Sequence, residues 1–183
     1  MDDRRRSPLA DVRLPDGLHE LPFQTQLDLR LDPADAAARA AVESIIGPLP
    51  VEPNTVAGGP VGAVLWLGPD EWLIVARDGA APGLEARIRS AAAGSFVAII
   101  DVSANRTILE LSCADARAIL AGGCSIDLHP RAFGPGRCAQ TLIARAGVIL
   151  WQTAADPAPT FRLLVRPSFA AYLAAWLTDA IPG

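Results

Sequence analysis
Two of the three cysteines, one of the two histidines and two arginines fall in one stretch, Gly122–Ala139, GGCSIDLHPRAFGPGRCA. Thiols and imidazole so close together raise two chemistries, metal binding and nucleophilic catalysis. Zinc needs three or four converging N or S ligands, usually with a pair two to four residues apart. Here Cys124 and His129 are five apart, and Cys138 lies nine further on across Pro130 and Pro135. No fourth ligand follows, so the spacing argues against a metal, and Cys113 and Cys138 read as small core residues. A cysteine nucleophile needs a base, an orienting group and an oxyanion-binding nest. Cys124 with His129 is the pairing on offer, with Asp127 to orient it, and the match is in residue type only. Asp127 reads instead as a turn residue bonding backbone amides. His129 reads as a donor to a backbone carbonyl or a contact for a partner.

What the stretch does have is stiffness and positive charge. Arg131 and Arg137 flank Phe133 between prolines and glycines. Arginine and aromatic residues are enriched at interface hot spots, so His129, Arg131, Phe133 and Arg137 form a candidate docking surface. A second polar group, DVSANR, places Asp101, Ser103, Asn105 and Arg106 at a strand end, where functional residues often sit. Asp101 reads as a structural turn residue; Asn105 and Arg106 join the candidate interface. Asp70-Glu71 belongs to a hairpin turn. No G-x-G-x-x-G follows a strand, and Gly58-Gly59-Pro60 is a loop, not a phosphate cradle. The chain itself is therefore expected to hold no flavin, dinucleotide or metal, and no catalytic residue is assigned.

Bulk properties narrow the class. Net charge is −4, and all 16 basic residues are arginine, with no basic stripe to track a phosphate backbone, which argues against nucleic acid. Without lysine there is no Schiff base and no Walker-type phosphate contact. Hydrophobic content of 51% is high, yet no apolar run reaches the 18 or more residues of a membrane span. The excess suits a substantial core plus an apolar face for a partner. The start, MDDRRRSPLADVRLPDG, lacks the apolar stretch of a secretory signal. Three cysteines without C-x-x-C spacing fit a reducing cytoplasm.

The elements that position these residues follow from periodicity. Residues 1–20, with Arg4, Arg5 and Arg6, read as an irregular tail, and 21–183 as one domain of two similar halves. FQTQLDLRL alternates, with Phe23, Thr25, Leu27, Leu29 and Leu31 on a buried face and Gln24, Gln26, Asp28 and Arg30 opposite. Asp32-Pro33 then supplies a cap and first-turn proline for a helix ending at Gly47. Pro48–Gly62 reads as a loop. GAVLWL and EWLIVA pair about a GPD turn, which sets Trp66 across from Trp72. Pro82–Ala93 is helical. SFVAIIDV and RTILELS are strands joined at Ser103–Asn105, and Cys113–Ala121 is a short helix closed by Gly122-Gly123. RCAQTLIARAGVILWQTA is strand, Gly-centred turn, strand, and FRLLVR a further strand. Ser168 caps a last helix with Phe169, Tyr172, Leu173 and Trp176 on one face. Strand-turn-strand-helix occurs around Gly62–Ala93 and again around Arg145–Ala180, with Trp66 and Trp151 on the first strand of each. The fold class is α+β with antiparallel sheets and packed helices.

Four blocks in order, LGPDEWLIVA, DVSANRTILEL, CSIDLHPRAF with GRCA, and SFAAYLAAWL, resemble the gamma subunit of heterotetrameric sarcosine oxidase. TILELSCADARAIL and the PGRC turn are similar to the folate-binding domain of the glycine-cleavage T-protein family, which implies that fold. The resemblance implies a non-catalytic chain that contributes to assembly with alpha, beta and delta subunits in the cytoplasm. That complex oxidises sarcosine to glycine, passes a one-carbon unit to tetrahydrofolate and forms hydrogen peroxide. FAD, FMN, NAD, tetrahydrofolate and zinc are implied for the partner subunits. Two alternatives stand beside it: the matching subunit of an N-methylglutamate dehydrogenase complex, and a stand-alone folate-binding aminomethyltransferase-like protein.

Overall fold
In a computed structural model that describes residues 5–181, the chain forms two compact units. One is Phe23–Ala104; the other joins Met1–Pro22 to Asn105–Gly183. Along the chain run β1 (Leu18–Glu20), β2 (Thr25–Leu31), α1 (Ala36–Ile46), β3 (Val56–Gly59), β4 (Gly62–Gly68) and β5 (Glu71–Ala76). Then come α2 (Ala81–Ala91), β6 (Val97–Asp101), a 3-10 turn (Ser103–Asn105), β7 (Thr107–Ser112) and α3 (Ala116–Ala121). β8 (Cys138–Ile143), β9 (Ala146–Ala154), β10 (Thr160–Val165) and α4 (Pro167–Ala180) complete it.

Each unit is one five-stranded antiparallel sheet with two helices. The orders are β6-β2-β5-β4-β3 and β1-β7-β10-β9-β8. Laid side by side, they match strand for strand, each as strand, helix, three-stranded meander, helix. The repeat is thus larger than the hairpin-plus-helix visible in the sequence. The outer strand beside β2 is β6, which follows α2, whereas the outer strand beside β7 is β1, from the start of the chain.

The segment expected to be an irregular tail therefore supplies a strand. Leu18 pairs with Leu111, and Leu9 and Leu18 are buried in the core of their unit. Three residues are too few to show a period, which is why β1 was not expected. Arg4 lies outside the described residues.

In the unit Phe23–Ala104, Leu27, Leu29 and Leu31 meet Val42, Ile45 and Ile46 of α1 and Leu84 and Ile88 of α2. The period-2 reading holds for these leucines, but Phe23 is exposed and Gln26 is buried. Asp35, not Asp32, caps α1 by accepting from the Ala38 amide at 2.9 Å; Asp32 accepts from Ala34 one turn earlier. The loop expected at Pro48–Gly62 contains β3. Trp66 and Trp72 do face each other across β4 and β5, and the Trp72 indole donates to the Pro50 carbonyl at 2.8 Å.

In the other unit, Leu109, Leu111, Phe161 and Leu163 meet Ile119 and Leu120 of α3 and Leu173 and Leu177 of α4. Four sequence expectations change here. β6 and β7 lie in different sheets, so Ser103–Asn105 is a crossing point and not a hairpin turn. The β8–β9 turn is Ala144-Arg145, with Ala144 at φ +52° and Gly147 inside the strand. Pro167, not a Ser168 cap, begins α4, since its fixed φ suits the first helical position. The buried side of α4 is Ala170, Leu173, Ala174 and Leu177, leaving Phe169 and Tyr172 exposed.

Candidate functional site
Residues 122–137 connect α3 to β8 and are folded by a chain of local bonds. Asp127 Oδ1 accepts from the His129 amide at 2.8 Å, the Asx turn that its position suggested. The His129 carbonyl accepts from the amides of Ala132 and Phe133 at 2.8 and 2.9 Å. The loop's far end joins the sheet, where Gly136 donates to the Gln152 carbonyl and Gln152 donates to the Arg137 carbonyl.

One side chain ties this loop to the fold, and it is not one that the sequence singled out. Arg117, on α3, donates to the carbonyls of Leu128 and Phe133, the latter at 2.9 Å, and to Gln152 Oε1 at 2.8 Å. Its guanidinium also lies 5.3 Å from the centre of the Phe161 ring. A planar fork presents five donors in fixed directions from three nitrogens, so it reaches acceptors set apart from one another, which the single ammonium nitrogen of lysine does not span. Burial lowers its pKa from the ordinary arginine value, while the three oxygens it reaches are all acceptors of its protons. The sequence held one sign of this: a single charge in the otherwise apolar helix ARAILA, just before the loop.

Phe133 is buried beneath the loop, stacked on Phe161 with centroids 6.4 Å apart and planes 16° apart. It is a core residue, so its place in the candidate docking surface is corrected: the ring is the loop's hydrophobic foot. His129 and Arg131 are exposed and Arg137 is half-buried. His129 does not donate to a carbonyl through Nδ1. That nitrogen accepts from the Arg131 amide at 3.2 Å, which leaves Nε2 to carry the proton in the neutral ring.

The cysteines serve packing. Cys138 is buried, and Cys113 and Cys124 are half-buried against the core of this unit. Cys124 Sγ lies 3.9 Å from Thr141 Oγ1 and its backbone bridges to Ile143. Among the described residues no three His, Cys, Asp or Glu side chains converge. At the loop's start Gly123 sits against Trp176: a Cβ there would lie 2.7 Å from the indole ring.

The second polar group is elsewhere. Asp101 Oδ1 accepts from both the amide and the hydroxyl of Ser103, whose oxygen accepts from the Gln26 amide at 2.9 Å, so this end of β6 is a closed turn. Asn105 and Arg106 lie just before β7. Thr107 aligns with Val165 and Val148, whereas Arg137 aligns with Gln152, Phe161 and Leu111. The five steps along the chain from Arg106 to Leu111 put Arg106 and Arg137 at opposite ends of the sheet, about 17 Å apart along the strands. The six candidate residues do not form one surface.

The sequence of the whole chain decides the family. A model of the sarcosine oxidase gamma subunit family matches residues 30–182. The chain belongs to this family. Sarcosine oxidase subunit gamma from Arthrobacter sp is 40% identical over 165 residues, 90% of this chain and 79% of that protein. The one from Corynebacterium sp. (strain U-96) is 38% identical over 90% of this chain and 78% of that protein. Among solved structures, a chain of the heterotetrameric sarcosine oxidase from Corynebacterium sp. U-96, in complex with pyrrole 2-carboxylate, superposes with a TM-score of 0.84. It is 37% identical and covers 96% of this family member, which covers 94% of it. Glycine cleavage system aminomethyltransferase T from Bartonella henselae shares the fold at a TM-score of 0.66 and 15% identity. There, 93% of this chain corresponds to 47% of that protein. No helix among the described residues is long and apolar enough to cross a membrane.

Proposed function
We propose that this chain is the gamma subunit of a heterotetrameric sarcosine oxidase, and that its work is assembly. The observation that carries the reading is the match over nearly its full length to a chain of that assembly at 37% identity. The relatives above are sarcosine oxidase subunits, which favours sarcosine over N-methylglutamate as the substrate of the complex. In this reading alpha, beta and delta subunits hold FAD, FMN, NAD, tetrahydrofolate and zinc, and the reaction takes sarcosine to glycine in their sites. The free thiols of all three cysteines suit a cytoplasmic complex.

The loop 122–137 is the docking surface of this reading. Its backbone is fixed from within by Arg117 and its foot by Phe133, so it meets a partner already ordered, which lowers the entropy lost on binding. His129 and Arg131 point to solvent, and the Arg131 guanidinium has no ion pair among the described residues. Arg137 belongs to the same face; Asn105 and Arg106, at the sheet's other end, would be a separate contact.

The test is co-purification of the tagged chain from its host, followed by a sarcosine assay on what is recovered. A large flavin-containing complex that oxidises sarcosine is the expected result. Recovery of the chain alone, colourless, would overturn the subunit reading. Arg131→Glu with Arg137→Glu should weaken recovery of the partners while the isolated fold keeps its circular dichroism. Normal recovery would remove the loop from the interface.

A further inference from the structure
The unit Phe23–Ala104 carries five arginines, and three of them are committed within it. Arg30 pairs with Glu71 at 2.7 Å, Arg39 pairs with Glu43 at 2.9 Å, and Arg89 donates to the Ile99 carbonyl at 2.6 Å. Arg77 and Arg87 make no ion pair and no side-chain hydrogen bond among the described residues. They also share a location. Arg77 follows β5, Arg87 lies on α2, and both line one cleft of about 400 Å³ with an apolar floor of Val61 and Leu84.

Two unpaired cations on one cleft repel each other, and an anion placed between them relieves both. The surroundings suit one. α2 begins at this cleft without a side-chain cap, whereas α1 is capped by Asp35. Gly83, in the first turn of α2, also lines the cleft, and a Cβ added there would meet nothing within 4 Å. Glycine weakens a helix relative to alanine, and no neighbour among the described residues requires it at this position. A group arriving from outside and passing close to the helix backbone would. Arginine favours carboxylate, through two parallel N–H···O bonds.

We propose that the Arg77–Arg87 cleft receives an acidic side chain, with an apolar neighbour for its floor, from another subunit of the assembly. The inference rests on the subunit reading above. A docked chain is favoured over a free small molecule by the shape of the site. Arg77, Gly79, Gly83 and Arg87 are all exposed, so a small ligand would stay half in water, while binding pockets bury most of theirs. A carboxylate delivered by a partner is covered by that partner, and the lower local dielectric strengthens the pair.

The experiment co-expresses the full chain with its partner subunits and compares wild type, Arg77→Gln/Arg87→Gln and Arg77→Glu/Arg87→Glu. The readout is the flavin-containing complex recovered per tagged chain, at low and high salt. The Gln pair should weaken assembly about tenfold or more, the Glu pair should weaken it further, and salt should weaken wild type most. Both side chains are exposed and make no ion pair or hydrogen bond among the described residues, so circular dichroism should be unchanged; if the Glu pair misfolds, the Gln pair carries the test. Wild type that recovers partners while both variants match it overturns this inference alone. Wild type that recovers none overturns the subunit reading beneath it. Titration of the free chain with glutarate separates the sources: tight binding lost in the Gln pair, with assembly unchanged, makes the occupant a free ligand and overturns the docking role.

Discussion

Replacing Arg117 by methionine tests the account of the loop most directly. Methionine keeps an unbranched apolar stem and removes the guanidinium, leaving Leu128 O, Phe133 O and Gln152 Oε1 without their donor. Each buried acceptor left unpaired costs about 1–3 kcal/mol. The low end applies, because the Gln152 amide still donates to the Ala154 carbonyl and the loop can shift its carbonyls toward water. The sum is about 3 kcal/mol, which at a urea slope of about 2 kcal/mol per molar lowers the midpoint by about 1.5 M. Hydrogen exchange adds a local readout: the amides of Ala132 and Phe133, bonded to the His129 carbonyl, should lose about a hundredfold of their protection. Arg117→Lys keeps the charge without the fork and should fall about halfway. A methionine variant within about 0.5 kcal/mol of wild type, with these amides still protected, would refute the reasoning: the loop's own turns would then be sufficient to hold it.

Gly123→Ala forces a methyl against the Trp176 indole and the Ala144 amide, 2.9 Å away, and should cost about 1–3 kcal/mol in thermal or urea unfolding. Leu163→Asp puts a charge in the centre of β10 at a fully buried position and should leave the chain unfolded by circular dichroism. For Glu43, burial acts to raise the pKa, but the Leu49 amide, the Arg39 hydrogen bond and the Arg39 charge outweigh it, and the net shift is downward from 4.5. A carboxyl whose folded value is depressed stabilises above its unfolded value and loses that as pH falls through the folded one. The stability gap between wild type and Glu43→Gln should therefore shrink as pH drops below about 4.5; a constant gap into acid would show that Glu43 does not act this way. Cys124→Ser should leave sarcosine turnover by the assembled complex near wild type, and complete loss would restore a chemical role to the thiol.

Periodicity made most of the strands and the three longer helices legible because the signal is local. Leu27, Leu29 and Leu31 alternate, and the Trp66–Trp72 pair follows from a short turn between two apolar runs. Where the deciding contact is distant, the sequence was silent. β1 exists because Leu18 pairs with Leu111, and nothing near Leu18 shows it. Phe133 looked like an exposed anchor because it stands between arginines; its burial depends on Phe161, in a strand beyond the β8–β9 hairpin. The role of Arg117 was hidden for the same reason, since its acceptors lie 11, 16 and 35 residues away. Spacing could argue against a metal or a nucleophile, but it could not separate a loop that displays side chains from one that buries them.

The two units explain why the candidate surface arose where it did. In each, a helix follows the first strand and a connection leads from that helix to the outer strand of the meander. After α1 that connection is residues 47–55; after α3 it is the longer run 122–137. Both are tied back by a charged side chain on the preceding helix, but with opposite sign. Glu43 on α1 accepts from the Leu49 amide at 3.0 Å, while Arg117 on α3 donates to the carbonyls of Leu128 and Phe133. A carboxylate can only accept, so it can hold the chain where an amide turns toward the helix. A guanidinium only donates, and its fork can hold two carbonyls five residues apart while a third bond fixes it to the sheet. The change of anchor is what lets the longer loop stay ordered with Phe133 packed beneath it. The same frame thus serves once as a plain connection and once as a rigid platform, on which His129 and Arg131 face outward.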